Sequence, residues 1–509
     1  MKENNVRRQG NQFELIDRPK NHSLWNRDIH PTPIKDRNWS KWHIAGLWIA
    51  MSVNITTYML GSSLIGEGMN WWEAILTVFV GCIIVLIPIT LISRPGVKYG
   101  IPFPVLVRSS FGTEGAKLAA LLRAFVACGW FGIQSSIGGS AIYIILAVFI
   151  PNLKNSYYLG SFVGLNIAQL ICILLFWLTQ MYVISHGINI IRRLSVVSAP
   201  LLLLFGVGIF CWAWYTVGSF PEILSATYLL GKKENVLFWQ IFCPGVTAIV
   251  GYWSTLALNI PDFMRFAKSQ KDQVIGQFTG LPLAMVMFTF IGIIVTGATM
   301  HLFGKAIWDP VVLLGKFSNP ALLFISLFCI LLATTCSNIT ANVVSPANDF
   351  TNLLPKLISF RTGGYITAII GMLIMPWKLI ADPSGYIFRW LIAYSALLGA
   401  MAGIMICDLY LIHKTKLCLN NLFAVKGKYY YTKGWNIFAY ISFIIGVIPN
   451  IPGFTVQVGL INASFFPAWI NNLYNYAWFI SFIISFIAYL ILMKFFKKPF
   501  AGQIAEEAT

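Results

Sequence analysis

The run Cys128-Gly129-Trp130-Phe131-Gly132-Ile133-Gln134 sets an indole and a primary amide four residues apart. On a helix that spacing puts Trp130 and Gln134 on one face, a turn from each other. Gly129, Gly132, Ser135, Ser136, Gly138 and Gly139 are small and leave room beside that face. An indole offers a π-surface for stacking, and an amide offers a donor and an acceptor to a ring edge. Trp253, with Tyr252 beside it, and the amides of Asn342 and Asn54 extend the set. Two stacking rings and three amides without a fixed charge suit a neutral, planar, hydrogen-bonding solute better than an amino acid, a sugar phosphate or an inorganic ion. Uracil-like rings meet that description. The plain alternative assigns Trp130 to a headgroup belt and Gln134 to helix–helix contact, but Trp130 lies inside a long apolar run, away from where belts sit.

Covalent chemistry is poorly served. The six histidines form no HExxH pair, and no two-aspartate or Gly-Ser-Asp arrangement stands out within the apolar runs, so no enzyme is expected. Eight of the nine cysteines fall in apolar runs and none forms a CxxC pair, which points to packing and away from a disulfide framework or a zinc site. Charges near or within the apolar runs are few: Arg123, Asp262, Asp349, Arg389 and Asp408. Ion pairs that fix helix positions are their common use, and a carboxylate proton relay is the alternative.

The elements that hold these residues must lie in a membrane. Of the 509 residues 57% are apolar and only 11% charged, with a mean hydropathy of +0.71, too little charge to cover a soluble protein of this size. Runs such as Ala74–Ile92 and Tyr476–Met493 reach the 18 or more residues that cross about 30 Å of hydrocarbon at about 1.5 Å per residue. The pattern predicts an all-α integral membrane protein with about twelve spans, the first five near 43–65, 72–93, 117–149, 160–184 and 194–217. The next five fall near 236–258, 276–302, 319–346, 363–380 and 385–412, and two more near 435–455 and 473–495. The chain then divides into an N-terminal segment 1–42, a ten-span core 43–412, a loop with spans 11 and 12 over 413–498, and a tail 499–509. The N-terminal segment, rich in Asn, Arg and Pro, reads as flexible apart from contacts with the inner mouth.

A net charge of +18 raises the question of nucleic acid, and the placement of the charges answers it. With the N-terminus inside, 28 of the 36 Lys and Arg fall on the inner side. This is the positive-inside asymmetry, so both termini are expected in the cytoplasm and the chain in the cell inner membrane, with lipid rather than nucleic acid around it. A monomer is the default.

Several spans carry polar or helix-disrupting residues near their middle. Span 1 has Ser52, Asn54, Thr56 and Thr57; span 6 has Cys243-Pro244-Gly245 and Gly251-Tyr252-Trp253-Ser254; span 8 has Thr334, Thr335, Ser337, Asn338, Thr340 and Asn342. Such groups must face protein or a watery cavity, because hydrocarbon leaves them unsatisfied. Polar contacts between helices are the plain reading of any one of them. Interruptions five spans apart predict a five-plus-five inverted repeat with broken spans 1 and 6 and a site near the midplane.

The segments Lys98–Arg108 (KYGIPFPVLVR), Gly129–Gln134 (GWFGIQ), Asn259–Phe266 (NIPDFMRF) and Ser337–Asn348 (SNITANVVSPAN) resemble the nucleobase:cation symporter-1 family. Pro376-Trp377-Lys378-Leu379 and the Gly399–Tyr410 stretch do so too, in order from about Trp39 to Tyr431, and the last two spans match loosely. The resemblance implies a twelve-helix carrier that moves uracil, cytosine, purines, allantoin or hydantoins with a sodium ion or a proton. It implies that the ring is held between Trp130 and Trp253, with Gln134 and Asn342 on its edges. Asn54 stands where the hydantoin carriers have a glutamine. The implied cation site uses carbonyls of Ala50, Val53 and Ala333 and two hydroxyl positions, of which Ser337 fills one and Cys336 the other. A thiol is a poor ligand for a hard cation, which moves the expectation from sodium towards a proton. No organic cofactor and no metal beyond sodium at that site is expected.

The sequence therefore predicts a secondary carrier for a neutral heterocycle, uracil first, purine bases next, allantoin or hydantoin behind. A channel is the reading from a different class, and it would lack the coupling site.

Overall fold

The computed structural model describes residues 5–16, 23–186, 188–234 and 237–495, so the tail 499–509 lies outside the described residues. Among these, nine helices are long and apolar enough to cross a membrane, and two further bent pairs bring the number to 11. The place of the ninth span is taken by a helix of 14 residues, Phe360–Leu373, too short to cross by itself. It ends where Met375 turns left-handed (φ 52) ahead of Pro376, which has no N–H to continue the ladder.

Span 1 is broken as its polar residues predict: Lys41–Ser52 and Ile55–Gly66 meet at 57°. Val53 leaves the helical region (ψ 83), Asn54 is extended, and the Asn54 side chain caps the second half by accepting from the Thr57 N–H at 2.8 Å. Span 5 also bends, by 91° between Leu203–Val217 and Phe220–Tyr228, around Gly218 (φ 78).

Span 6 departs from expectation. Phe238–Asn259 is one continuous helix through both Pro244 and Gly251. Gly251 serves packing: a Cβ there would stand 2.7 Å from the Leu391 carbonyl oxygen of span 10. The turn comes later, at Ile260, where Pro261 begins a short separate helix. The midplane interruption in the structure therefore belongs to span 1.

The spans sort into two packed groups. Span 7 (Gln270–Phe303) lies against both halves of span 1 and against span 2 (Trp71–Tyr99), which in turn carries span 6. Span 3 (Gly115–Phe149) lies against span 4 (Ile167–Ser185), span 8 (Pro320–Leu353) and span 9, while span 10 (Gly385–Ile412) joins span 12 (Ala468–Phe495). Glycines let backbones touch within each group. A Cβ at Gly276 or Gly280 would come within 2.7 and 2.9 Å of the Lys41 and Ala45 carbonyl oxygens. One at Gly132 would collide with the Gly371 carbonyl oxygen, and one at Gly371 with that of Cys128.

The N-terminal segment forms a strap across one end of the core. Val6–Gln9 (β1) pairs antiparallel with Gln12–Leu15 (β2). The buried Arg37 guanidinium then ties this hairpin to span 2, donating to Phe13 O at 2.7 Å, Thr32 O at 2.8 Å and Val97 O at 3.3 Å. Gln12 donates to Lys268 O at 3.2 Å, Asn26 to Pro355 O at 2.6 Å, and Asp28 accepts from the Phe360 N–H at 3.3 Å. The strap thus holds both groups of spans, by more contacts than its polar composition predicts.

Candidate functional site

Trp130 sits in the middle of span 3, buried, with its indole N–H donating to the Tyr394 hydroxyl at 3.2 Å. Its ring meets others edge-on: Tyr252 at 5.0 Å between centroids, Trp390 at 5.9 Å and Tyr386 at 6.2 Å. Tyr386, Trp390 and Tyr394 recur every four residues along span 10 and form one aromatic stripe, the first two in a stretch of wider π winding, Gly385–Leu391. This stripe was legible from its spacing and was missed.

Tyr252 stands between the two tryptophans expected to hold the ring. It lies 5.1 Å from Trp253, which packs on Trp48 at 5.3 Å, so among the described ring contacts Trp253 reaches Trp130 only through Tyr252. The Tyr252 hydroxyl is fixed to the break in span 1 by Thr56 Oγ1 at 2.9 Å, Thr57 Oγ1 at 3.0 Å and Asn54 Oδ1 at 3.2 Å. Asn54 Oδ1 also accepts from Thr56 Oγ1 and the Thr57 N–H, and Nδ2 donates one bond, to Met51 O at 2.5 Å. In this structure it works as a helix cap that anchors Tyr252.

Gln134 and Asn342 come from different spans and are both nearly buried, 5% and 8% exposed. Gln134 Oε1 accepts from Ser337 Oγ at 3.1 Å. Asn342 Nδ2 donates to Asn338 Oδ1 at 2.8 Å, and Asn338 Nδ2 donates onward to Gln180 Oε1 at 2.7 Å and Phe131 O at 3.0 Å. Asn338 thereby joins spans 3, 4 and 8 and holds Asn342, while Ser337 separately holds Gln134 to span 8. Among the described hydrogen bonds, Gln134 keeps its Nε2 donors and Asn342 its Oδ1 acceptor unengaged.

The residues expected around a cation have a partial basis in the backbone. The helical donors for Ala50 O and Val53 O would be the N–H groups of Asn54 and Thr57. Those donate instead to Ser52 O at 3.1 Å and Asn54 Oδ1 at 2.8 Å, so the break turns both carbonyls free of the ladder. The first half of span 1 packs on span 8, where Ala333, Cys336 and Ser337 are buried. Ser337 is shared, since its hydroxyl touches Gln134. Ala333 lies within the continuous helix Pro320–Asn342, and a thiol such as that of Cys336 is a poor partner for a hard cation.

Residues 31–481 match the family model described as permease for cytosine/purines, uracil, thiamine and allantoin. The chain is 42% identical to the purine-uracil permease NCS1 of Arabidopsis thaliana over 478 residues, covering 93% of this chain and 78% of the relative. It is 35% identical to the allantoin permease of Bacillus subtilis (strain 168), covering 93% and 94%. Two structures of Mhp1, a nucleobase-cation-symport-1 family transporter, share the fold. The closed form with bromovinylhydantoin bound gives a TM-score of 0.69 at 22% identity, covering 92% of this chain and 95% of that one. The inward-facing form gives 0.70 at 24%, covering 92% and 94%. With its motifs, its broken first span and this match over most of its length, the chain belongs to the nucleobase:cation symporter-1 family, the permeases for cytosine/purines, uracil, thiamine and allantoin.

Proposed function

We propose that the chain imports a neutral planar heterocycle, a nucleobase with uracil first, by proton symport across the cell inner membrane, with both termini in the cytoplasm. The observation that carries the reading is the pairing of an aromatic wall, Trp130 with Tyr252, and two fixed amides that keep one donor group and one acceptor unengaged. An imide or lactam edge presents the complementary acceptor and donor. The relatives named for purine and uracil and for allantoin keep purine bases and allantoin as the next candidates. Proton rather than sodium coupling rests on Cys336 standing among the expected cation ligands.

Uptake of radiolabelled uracil, hypoxanthine, allantoin and hydantoin in a transport-deficient bacterium tests this, with and without sodium and with an uncoupler. Uracil uptake should be saturable, independent of sodium and abolished by the uncoupler. Trp130→Ala, Gln134→Ala and Asn342→Ala should each lower it by roughly tenfold or more at unchanged membrane abundance, the scale of one lost stacking or polar contact to a base. Preference for allantoin over every nucleobase would overturn the substrate assignment, and unimpaired uptake in all three variants would overturn the site.

A further inference from the structure

Several buried polar atoms at the strap end of the core lack a hydrogen-bond partner, among them Asp349 Oδ1, Asp262 Oδ2, Asn259 Oδ1, Arg123 Nε and Arg265 Nε. Buried polar groups are normally paired, so a concentration of orphans marks a place where something else binds. These surround one contact between the two groups of spans, the hydrogen bond from Asn259 Nδ2 of span 6 to Ser345 Oγ of span 8. Asp262 lies one turn beyond Asn259, and Asp349 one turn beyond Ser345. A carboxylate from each group therefore flanks the same bond.

Their other partners differ. Asp349 Oδ2 accepts from Arg123 Nη1 of span 3 at 3.3 Å, with both side chains buried. Asp262 Oδ1 accepts from the Phe103 N–H at 2.8 Å, and its carboxylate faces the Ser345 hydroxyl. The charged groups that face the pair from the surrounding elements are Arg123 and Arg265, and Arg265 is also drawn to Asp28 of the strap and donates to Asp28 O at 3.1 Å. The Cys128 thiol, farther along span 3, also feels the charges of Arg123 and Asp349. Arg94 of span 2 and Arg361 of span 9 are exposed, and Lys98 is turned to Thr415 O at 2.8 Å. Two buried carboxylates that feel each other's charge resist losing both protons.

We propose that Asp262 and Asp349 form a two-carboxylate proton site that holds one proton while the strap end is closed and releases it when the two groups of spans part. The pair shares one proton, with Arg123 holding Asp349 Oδ2 and Asp262 offering its unpaired Oδ2. Opening hydrates Asp262, and the proton leaves to water on that side. The proposal rests on the cation-coupled reading and names its ligand as the proton. Burial holds the Asp262 carboxyl above the usual carboxylate range, against the pull of Arg265. A group that binds its proton more tightly in the closed form favours that form as pH falls, and the preference is lost as pH rises through the raised value.

Hydrogen exchange of the purified full-length protein in lipid nanodiscs, without any ring compound, tests the site between pH 5.5 and 8.5. After correction for intrinsic rates, amides in 259–266 and 344–353 should exchange roughly threefold or more slower at the acid end. Asp262→Asn should hold the slow rate at every pH, because a neutral amide copies the protonated acid. Asp262→Glu, a second variant that keeps the titration, should keep the pH response. A flat wild-type profile, or an unchanged pH response in Asp262→Asn, would overturn the proposal. The measurement needs no substrate, so a carrier that accumulates uracil yet shows a flat profile would keep the ring site and discard this pair.

Discussion

Asn54, expected beside the ring, is used in this structure at the break in span 1. Its amide is spent on the break in span 1, on Met51 O, Thr56, the Thr57 N–H and Tyr252. Asn54→Ala should therefore destabilise the fold by about 1 kcal/mol, the usual worth of a helix cap, and should loosen Tyr252 as well. A lower melting temperature of the purified protein, with weaker uptake, is the expected result, and an unchanged melting temperature would refute the cap. Tyr252→Phe keeps the ring against Trp130 and drops only the hydroxyl contacts, so a few-fold loss of uptake is expected. Tyr252→Ala removes the ring and should cost as much as Trp130→Ala. Trp130 and Gln134 were legible because a spacing of four fixes a shared helix face. The position of Tyr252 between the tryptophans was not, because packing sets the rotation of span 6 about its own axis.

The same contrast appears among the elements. Span 1 was readable as broken because Ser52, Asn54, Thr56 and Thr57 supply the side chains that replace a lost ladder. Pro244 and Gly251 gave the same signal in span 6 and meant something else. Gly251 admits the Leu391 carbonyl, and Pro244 lies within the continuous helix. The glycine seams carry their own test. Gly132→Ala would drive a methyl into the Gly371 carbonyl and should cost about 1–3 kcal/mol, because backbone cannot step aside as a side chain can. Gly46→Ala, where nothing lies within 4 Å, should be silent. The recovered yield of monodisperse protein distinguishes the two.

At the scale of the whole molecule, tight backbone seams lie inside each group of spans, while polar side chains such as Asn259 and Ser345 meet between them. Motion of the groups as bodies is the natural consequence, because the contacts easiest to exchange lie at their boundary. The strap lies across that boundary, and Arg37→Ala should release it, seen as faster exchange of amides 5–16 at unchanged uptake-competent folding of the core. Burial lowers the Arg37 guanidinium to about 10, opposed by Glu14. Below about pH 9 it stays charged whether docked or free, so Arg37 itself adds no pH dependence to strap exchange between pH 6 and 8. The membrane class and the family were legible in composition and motifs, whereas about twelve spans were expected and up to 11 are found among the described residues; the docking of the strap was not legible, because hydrogen bonds to main-chain oxygen leave no mark on the partner's sequence.

That last point reaches beyond mechanics. Gln12, Asn26 and Arg37 all donate to peptide carbonyls, those of Lys268, Pro355, Phe13, Thr32 and Val97. Point substitution cannot delete a peptide carbonyl. For these donors the inheritance is one-sided: the residues beneath can change without losing the bond, whereas a single change at Arg37 severs its tie to Val97 and two bonds that fold the strap on itself. Among the described hydrogen bonds, only those of Arg265 and Arg108, which donate back to Asp28 O and Leu24 O, tie the identity of core side chains to the main chain of the strap.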